Sequence, residues 1–144
     1  MSKITKKNNK ELGIFGENVA VEFLKQKNYK IIYRNFRLRF GEIDIICIKR
    51  EYLVFIEVKT RTTISYGFPI ESVNYSKQSK ILKTAFNFIQ KYEKKLVNFN
   101  VRFDVIEIFA KKNSCDFSIK NVNHIENIIL IKQPIEKFTK IFQF

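Results

Sequence analysis

The sequence predicts an α/β fold: a mixed β-sheet flanked by helices. Two stretches, at about 9–28 and 76–94, carry apolar residues at helical spacing, and apolar runs of strand length lie between and after them. The two central runs, 43–49 and 52–58, are apolar on both faces, so each face needs a covering layer. The order of helix, three strands, helix and strand lacks the regular alternation of a doubly wound sheet.

Residues 1–9 read as a basic flexible arm, and 10–131 as a single domain. In the first helix Leu12, Phe15, Val19, Phe23 and Leu24 form the apolar stripe, and Asn9 is a candidate cap. Gly13, Gly16 and Ala20 fall beside that stripe. Small residues there cost helix propensity but admit another backbone, which predicts a helix lying tightly on a sheet. A strand follows at 31–38, then RFGE makes a bend in which Gly41 is free to take an unusual dihedral angle. The runs 43–49 and 52–58 form a hairpin about Arg50 and Glu51, a pair lacking the glycine or asparagine that tight primed turns favour.

TRTTISYGFP is a polar connection to the second helix, whose stripe is Ile81, Leu82, Ala85, Phe86, Phe88, Ile89 and Tyr92. A strand at 101–109 and a short edge strand at 117–122 follow. The pattern at 123–131 fits helix or strand equally. In the tail, 132–144, Pro134 starts a final turn in which Ile135, Phe138, Ile141 and Phe142 share a face, either docked on the domain, frayed, or turned to a partner or a membrane surface.

The chain has 144 residues, 45% of them hydrophobic and 28% charged, which suits one packed domain. Fifteen phenylalanines and six tyrosines supply a core that needs neither disulfide nor structural metal. Twenty-seven Lys and Arg against 14 Asp and Glu leave a net charge of +13, which favours polyanions: nucleic acid first, an acidic membrane surface second. Charge does not distinguish DNA from RNA. Cys47 and Cys115 have no metal-binding spacing, and Cys47 sits in an apolar run as a buried reduced thiol. The basic start lacks the apolar segment of a signal peptide, and no window holds 18 uninterrupted apolar residues. A cytoplasmic protein without stable membrane insertion is expected.

The chemistry concentrates in GEIDIICIKREYLVFIEVKTR, residues 41–61. With the hairpin closed at Arg50 and Glu51, Asp44 faces Glu57, Glu42 faces Lys59, and all four share one pleat face. Facing carboxylates repel, and a hard divalent cation relieves the repulsion by taking their oxygens into its shell. Mg²⁺ suits such a site, with Mn²⁺ as a substitute, and the Val58 carbonyl adds a hard ligand. Lys59 on the same face would orient or deprotonate an attacking water and offset charge on a phosphate oxygen. The alternative is an ordinary cross-strand ion pair, and spacing alone leaves both open.

Glu17, at the edge of the first helix's stripe, is either a further ligand of that cation or a solvent-facing glutamate. Arg34, Arg37, Arg39 and Arg61 flank the acidic segment, and Lys77 and Lys80 lie near the start of the second helix. These six are candidate phosphate contacts. Arg102 and Asp104 share a strand face as a structural pair, and His124 stands outside any zinc-ligand spacing. Neither a nucleophile elbow nor a glycine-rich phosphate loop is present, which argues against a serine hydrolase or a P-loop NTPase.

The pieces GIFGENVA (13–20), RNFR (34–37), GEIDII (41–46), FIEVKTR (55–61), GFP (67–69), SVNYSKQSKILKTA (72–85) and RFDVIEI (102–108), in that order, resemble the bacterial YraN family. That family is regarded as a distant relative of Holliday-junction resolvases within the PD-(D/E)xK nucleases. The resemblance implies a restriction-endonuclease-like core with Asp44, Glu57 and Lys59 at the superfamily's acidic and lysine positions, and Glu17 at the helix carboxylate of the resolvase-like branch. Ile43 stands where the superfamily's name has proline. The function implied is a metal-dependent endonuclease acting on DNA, branched DNA among its substrates, with a homodimer suiting paired cuts. Two other readings are a non-catalytic nucleic-acid-binding protein with a structural cation, and a partner-binding protein that uses its C-terminal tail.

Overall fold

The computed structural model describes residues 3–62 and 75–128. The elements are α1 (Lys3–Gln26), β1 (Lys30–Leu38), β2 (Gly41–Lys49), β3 (Tyr52–Arg61), α2 (Tyr75–Leu96), β4 (Asn100–Lys112) and β5 (Phe117–Ile125). They build one five-stranded sheet in the order β1-β2-β3-β4-β5, mixed as expected: β3 and β4 are parallel and the other neighbours antiparallel. The two hairpin strands therefore lie inside the sheet, which is why both of their faces are apolar.

Among the described residues, each sheet face carries one helix. Ala20, Val21 and Leu24 of α1 cover Ile45, Cys47, Val54, Ile56, Ile106 and Ile108. Phe86, Phe88 and Ile89 of α2 cover the opposite face, with Ile46, Phe55 and Phe103 among the residues beneath them. The tight seating of α1 is a matter of a single side chain. A Cβ on Gly16 would lie 1.8 Å from Thr60 Oγ1, so only glycine lets α1 rest on β3 there.

Three details differ from the sequence reading. The helix begins at Lys3, so the basic segment expected as a flexible arm is helical from that residue, with Lys6, Lys7 and Lys10 exposed. Gly41 serves proximity: a Cβ there would meet Thr84 Oγ1 at 2.5 Å and the Lys80 carbonyl oxygen at 3.2 Å on α2. Positive backbone angles fall instead on four other described residues, among them Asn28 (φ 61°), which closes α1, and Arg50 (φ 52°), which takes the turn conformation glycine would have supplied. The equivocal segment after residue 122 continues β5 as far as Ile125. The polar connection with its GFP motif and the tail at 132–144 lie outside the described residues. No helix among those described is long and apolar enough to cross a membrane.

Candidate functional site

The hairpin register is the one expected, Ile45 opposite Ile56 and Lys49 opposite Tyr52, but the ladder stops at Ile45–Ile56. Beyond it Asp44 and Glu57 do not form a backbone pair. The Asp44 carboxylate fills the gap, its Oδ2 accepting a hydrogen bond from Val58 N–H at 2.8 Å. On the other side of β2, the register with β1 passes from Arg34–Ile45 to Phe36–Ile43 without an Asn35–Asp44 pair, and Asn35 has φ 51°. Side-chain alternation breaks at this point. Ile43 joins Ile46 in the core under α2, whereas Ile45 and Cys47 pack under α1.

That break corrects part of the expected geometry. Glu42 does not face Lys59; it lies at the surface and pairs with Arg37 at 3.1 Å. Lys59 finds its carboxylate on its own strand, with Nζ 2.9 Å from Glu57 Oε1. Strict alternation placed Glu42 opposite Lys59; with the ladder ended at Ile45–Ile56, Glu42 stays at the groove's exposed rim, paired with Arg37.

The acids and lysines line a groove of about 810 Å³ where the two strands separate. Glu17 from α1, Asp44 from β2, Glu57, Val58 and Lys59 from β3, and Lys77 from α2 line it. Lys77 donates to the same Glu57 Oε1 that Lys59 uses. Glu57 Oε2 is buried and has no hydrogen-bond partner among the described residues. A carboxylate oxygen left so is costly unless a cation or water completes its shell. Asp44 is under similar pressure: burial first, then the charges of Glu17, Glu57 and Glu42, push its carboxyl up to about 6 against the relief given by Val58 N–H. Burial and the Lys77 ammonium lower Lys59. For Lys77, burial acts downward but is outweighed, chiefly by Glu57, so its ammonium is held more firmly than usual.

The donor set suits a hard divalent cation. Two carboxylates that repel each other, one with an oxygen unsatisfied among the described residues, sit beside a third and the Val58 residue in an open groove whose described lining holds neither His nor Cys. Mg²⁺ binds in that manner through few carboxylates, keeping several waters.

The candidate phosphate contacts divide. Lys80 lines the groove, exposed, one turn along α2 from Lys77, and Arg39 is exposed near the start of β2. Arg34 donates to Asn18 Oδ1 of α1 at 2.8 Å while remaining exposed, and Arg37 shares the surface with Glu42. Arg61 turns to the buried Glu107 at 3.6 Å. Glu107 is a residue the sequence reading passed over; it stands opposite Lys59 in the β3–β4 register, an acid in a strand otherwise read as core.

A second polar cluster lies beneath α1. Arg102 donates to both oxygens of Asp104, at 3.0 and 2.8 Å, and to Tyr29 Oη at 2.8 Å. His124 Nε2 lies 2.8 Å from Asp104 Oδ2, and Asn127 N–H donates to Oδ1 at 3.1 Å. The expected Arg102–Asp104 pair is therefore the centre of a network in which His124 takes part. Asp104, His124 and Glu126 bring donor atoms within 4.8 Å of one another. The guanidinium already provides the positive charge there, and both Asp104 oxygens are engaged, so the arrangement is that of a buried ion-pair network rather than a metal shell. Alternation in β4 gave the Arg102–Asp104 pair. Tyr29 and Glu126 enter through the turn after α1 and the chain after β5, which no local pattern connects.

Fold and site together define a class: a basic α/β protein with a mixed sheet and an acid-and-lysine groove at the split end of its central hairpin. Residues 16–108 match the uncharacterised protein family UPF0102, and the chain belongs to that family, the one the YraN resemblance indicated. A UPF0102 protein of Clostridium beijerinckii is 47% identical over 122 residues, covering 85% of this chain and 95% of its own. One from Clostridium botulinum is 48% identical over 122 residues, covering 85% and 96%. One from Acetivibrio thermocellus is 43% identical over 128 residues, covering 88% and 97%.

Proposed function

We propose that this protein is a Mg²⁺-dependent endonuclease that hydrolyses phosphodiester bonds of DNA. The observation that carries the reading is the buried Oε2 of Glu57, without a hydrogen-bond partner among the described residues, on a side chain lining the groove that also holds Asp44 and Lys59. Asp44 and Glu57 would hold the ion, with the Val58 carbonyl and Glu17 completing the protein's share of its shell. When bound, the ion polarises the scissile phosphate and lowers the pKa of a coordinated water.

The chain's own residues supply the rest. Lys59 is set on the strand face beside Glu57, where its amine orients the attacking water and accepts its proton. A bond forms from the water oxygen to phosphorus, the bond to the leaving sugar oxygen breaks, and that oxygen is reprotonated from solvent. Arg34, Arg37, Arg39 and Lys80 hold phosphates along the strand; the net charge of +13 supports a polyanionic substrate. The preference for branched DNA and a two-fold dimer come from the resemblance to resolvase relatives, and the polyanion chemistry extends to RNA.

A cleavage panel tests the reading. Duplex, flap, single-stranded and four-way-junction DNA, with RNA counterparts, are incubated with Mg²⁺, Mn²⁺ or EDTA, and Asp44→Ala and Lys59→Ala stand beside the unaltered protein. Metal-dependent cleavage that both variants lose while still binding the substrate is the expected result. Tight binding without cleavage by the unaltered protein would replace the enzyme with a non-catalytic nucleic-acid-binding protein. Equal cleavage by both variants would remove the chemistry from this groove.

A further inference from the structure

Lys77 stands out among the basic residues. It comes from the first turn of α2, across the groove from β3, yet its ammonium is committed to a carboxylate rather than to solvent. Among the described residues, Glu57 Oε1 receives two ammonium groups while Oε2 receives none. One oxygen is thus crowded with positive charge and its twin left bare, an unequal use of a single carboxylate. Lys59 is bound to its place by the backbone, two residues from Glu57 on a strand hydrogen-bonded to β4. Lys77 reaches Glu57 only through its flexible side chain, which is 38% exposed.

We infer that Lys77 is the built-in counter-ion of Glu57, holding its carboxylate in the cation-free protein and yielding it to a divalent ion on loading. The inference rests on the metal-site reading above. Charge gives it direction. A divalent ion arriving among Glu17, Asp44, Glu57, Lys59 and Lys77 adds two positive charges to the groove, and Lys77, displaced from Oε1, faces the space where a substrate phosphate offsets them. Ion loading and polyanion binding then favour each other, and by linkage each strengthens the other to the same degree. Lys77 is in this sense a positioning residue, first for Glu57 and then for the phosphate.

Mn²⁺ titration by calorimetry, on the full chain without nucleic acid, tests the exchange. Lys77→Met keeps most of the side chain's bulk and removes the competing charge. It should bind Mn²⁺ about fivefold more tightly than the unaltered protein, the factor that releasing an ion pair worth about 1 kcal/mol provides. Lys77→Arg, which keeps the charge, should remain near the unaltered affinity. Lys83→Met, an equal loss of charge farther along α2, should move it by less than about twofold. A junction DNA in Ca²⁺ gives the second readout: the gain in DNA affinity on adding the ion should shrink in Lys77→Met. Mn²⁺ affinity that is unchanged or weaker in Lys77→Met overturns the exchange while leaving the metal site standing. A tightening matched by Lys83→Met also overturns it, assigning the effect to net charge. Absence of Mn²⁺ uptake by the unaltered protein, with Glu57→Gln indistinguishable from it, overturns the metal site and the exchange together.

Discussion

The Asp44 carboxylate takes the backbone N–H of Val58 at 2.8 Å, in the place where the next rung of the β2–β3 ladder would otherwise stand. A side chain thus ends a backbone pairing, and the same act opens the groove and buries the acid within it. The cost appears in the acid's own protonation.

Asp44 therefore governs a pH dependence of stability. Its native carboxyl holds a proton up to about pH 6, whereas the unfolded one releases it near 3.8. Between those values the native state binds more protons, so stability falls as pH rises through about 4 to 6 and stays reduced above. Asp44→Asn keeps an oxygen for Val58 N–H and removes the charge. It should raise stability by about 2 kcal/mol at pH 7.5, the gain fading toward pH 4. Urea unfolding at both pH values measures it; an equal effect at both would show that Asp44 ionises without strain.

Gly16 and Thr60 predict a packing effect with a built-in control. Gly16→Ala would gain about 1 kcal/mol of helix propensity on an unobstructed surface, yet here its Cβ meets Thr60 at 1.8 Å. The expected result is a net loss of about 1–3 kcal/mol, and Thr60→Ala in the same chain should recover part of it. Thermal unfolding of the two single variants and the double variant gives the coupling directly.

The network beneath α1 is predicted to be structural. Arg102→Met leaves the fully buried Asp104 carboxylate without its guanidinium and should cost about 3–5 kcal/mol, read from the denaturant midpoint. Glu126→Gln, at the half-exposed edge of the network, should leave both folding and Mn²⁺ affinity nearly unchanged. A marked fall in Mn²⁺ affinity in Glu126→Gln would move the metal to Asp104, His124 and Glu126.

Arg39 and Arg61 should separate in their response to salt. Arg39 is exposed, and its replacement by Gln should reduce the slope of log affinity for duplex DNA against log salt by about one. Arg61 is engaged with buried Glu107, so Arg61→Gln should lower stability more than it alters that slope. Binding titrations from low to moderate salt, paired with melting curves, distinguish the two outcomes.

The sequence by itself determined the order of helices and strands, the antiparallel hairpin and its register as far as Ile45–Ile56, and the shared face of Arg102 and Asp104 in β4. These follow from local periodicity: a strand's alternation and a two-residue turn set which positions oppose each other, and the apolar runs at 43–49 and 52–58 admit no other placement than the middle of a covered sheet. Family membership was legible too, in motifs spread in fixed order from α1 to β4. The tertiary structure alone decided where alternation fails. Asn35 and Asp44 break the pattern together because they lie across from each other on adjacent strands, a relation between separate segments that neither segment contains. It decided as well that Glu42 pairs with Arg37 and not Lys59, that Gly41 makes room for α2, and that Lys77 reaches Glu57. Each is an encounter between parts of the chain distant in sequence, and its geometry exists only once helices and strands have packed.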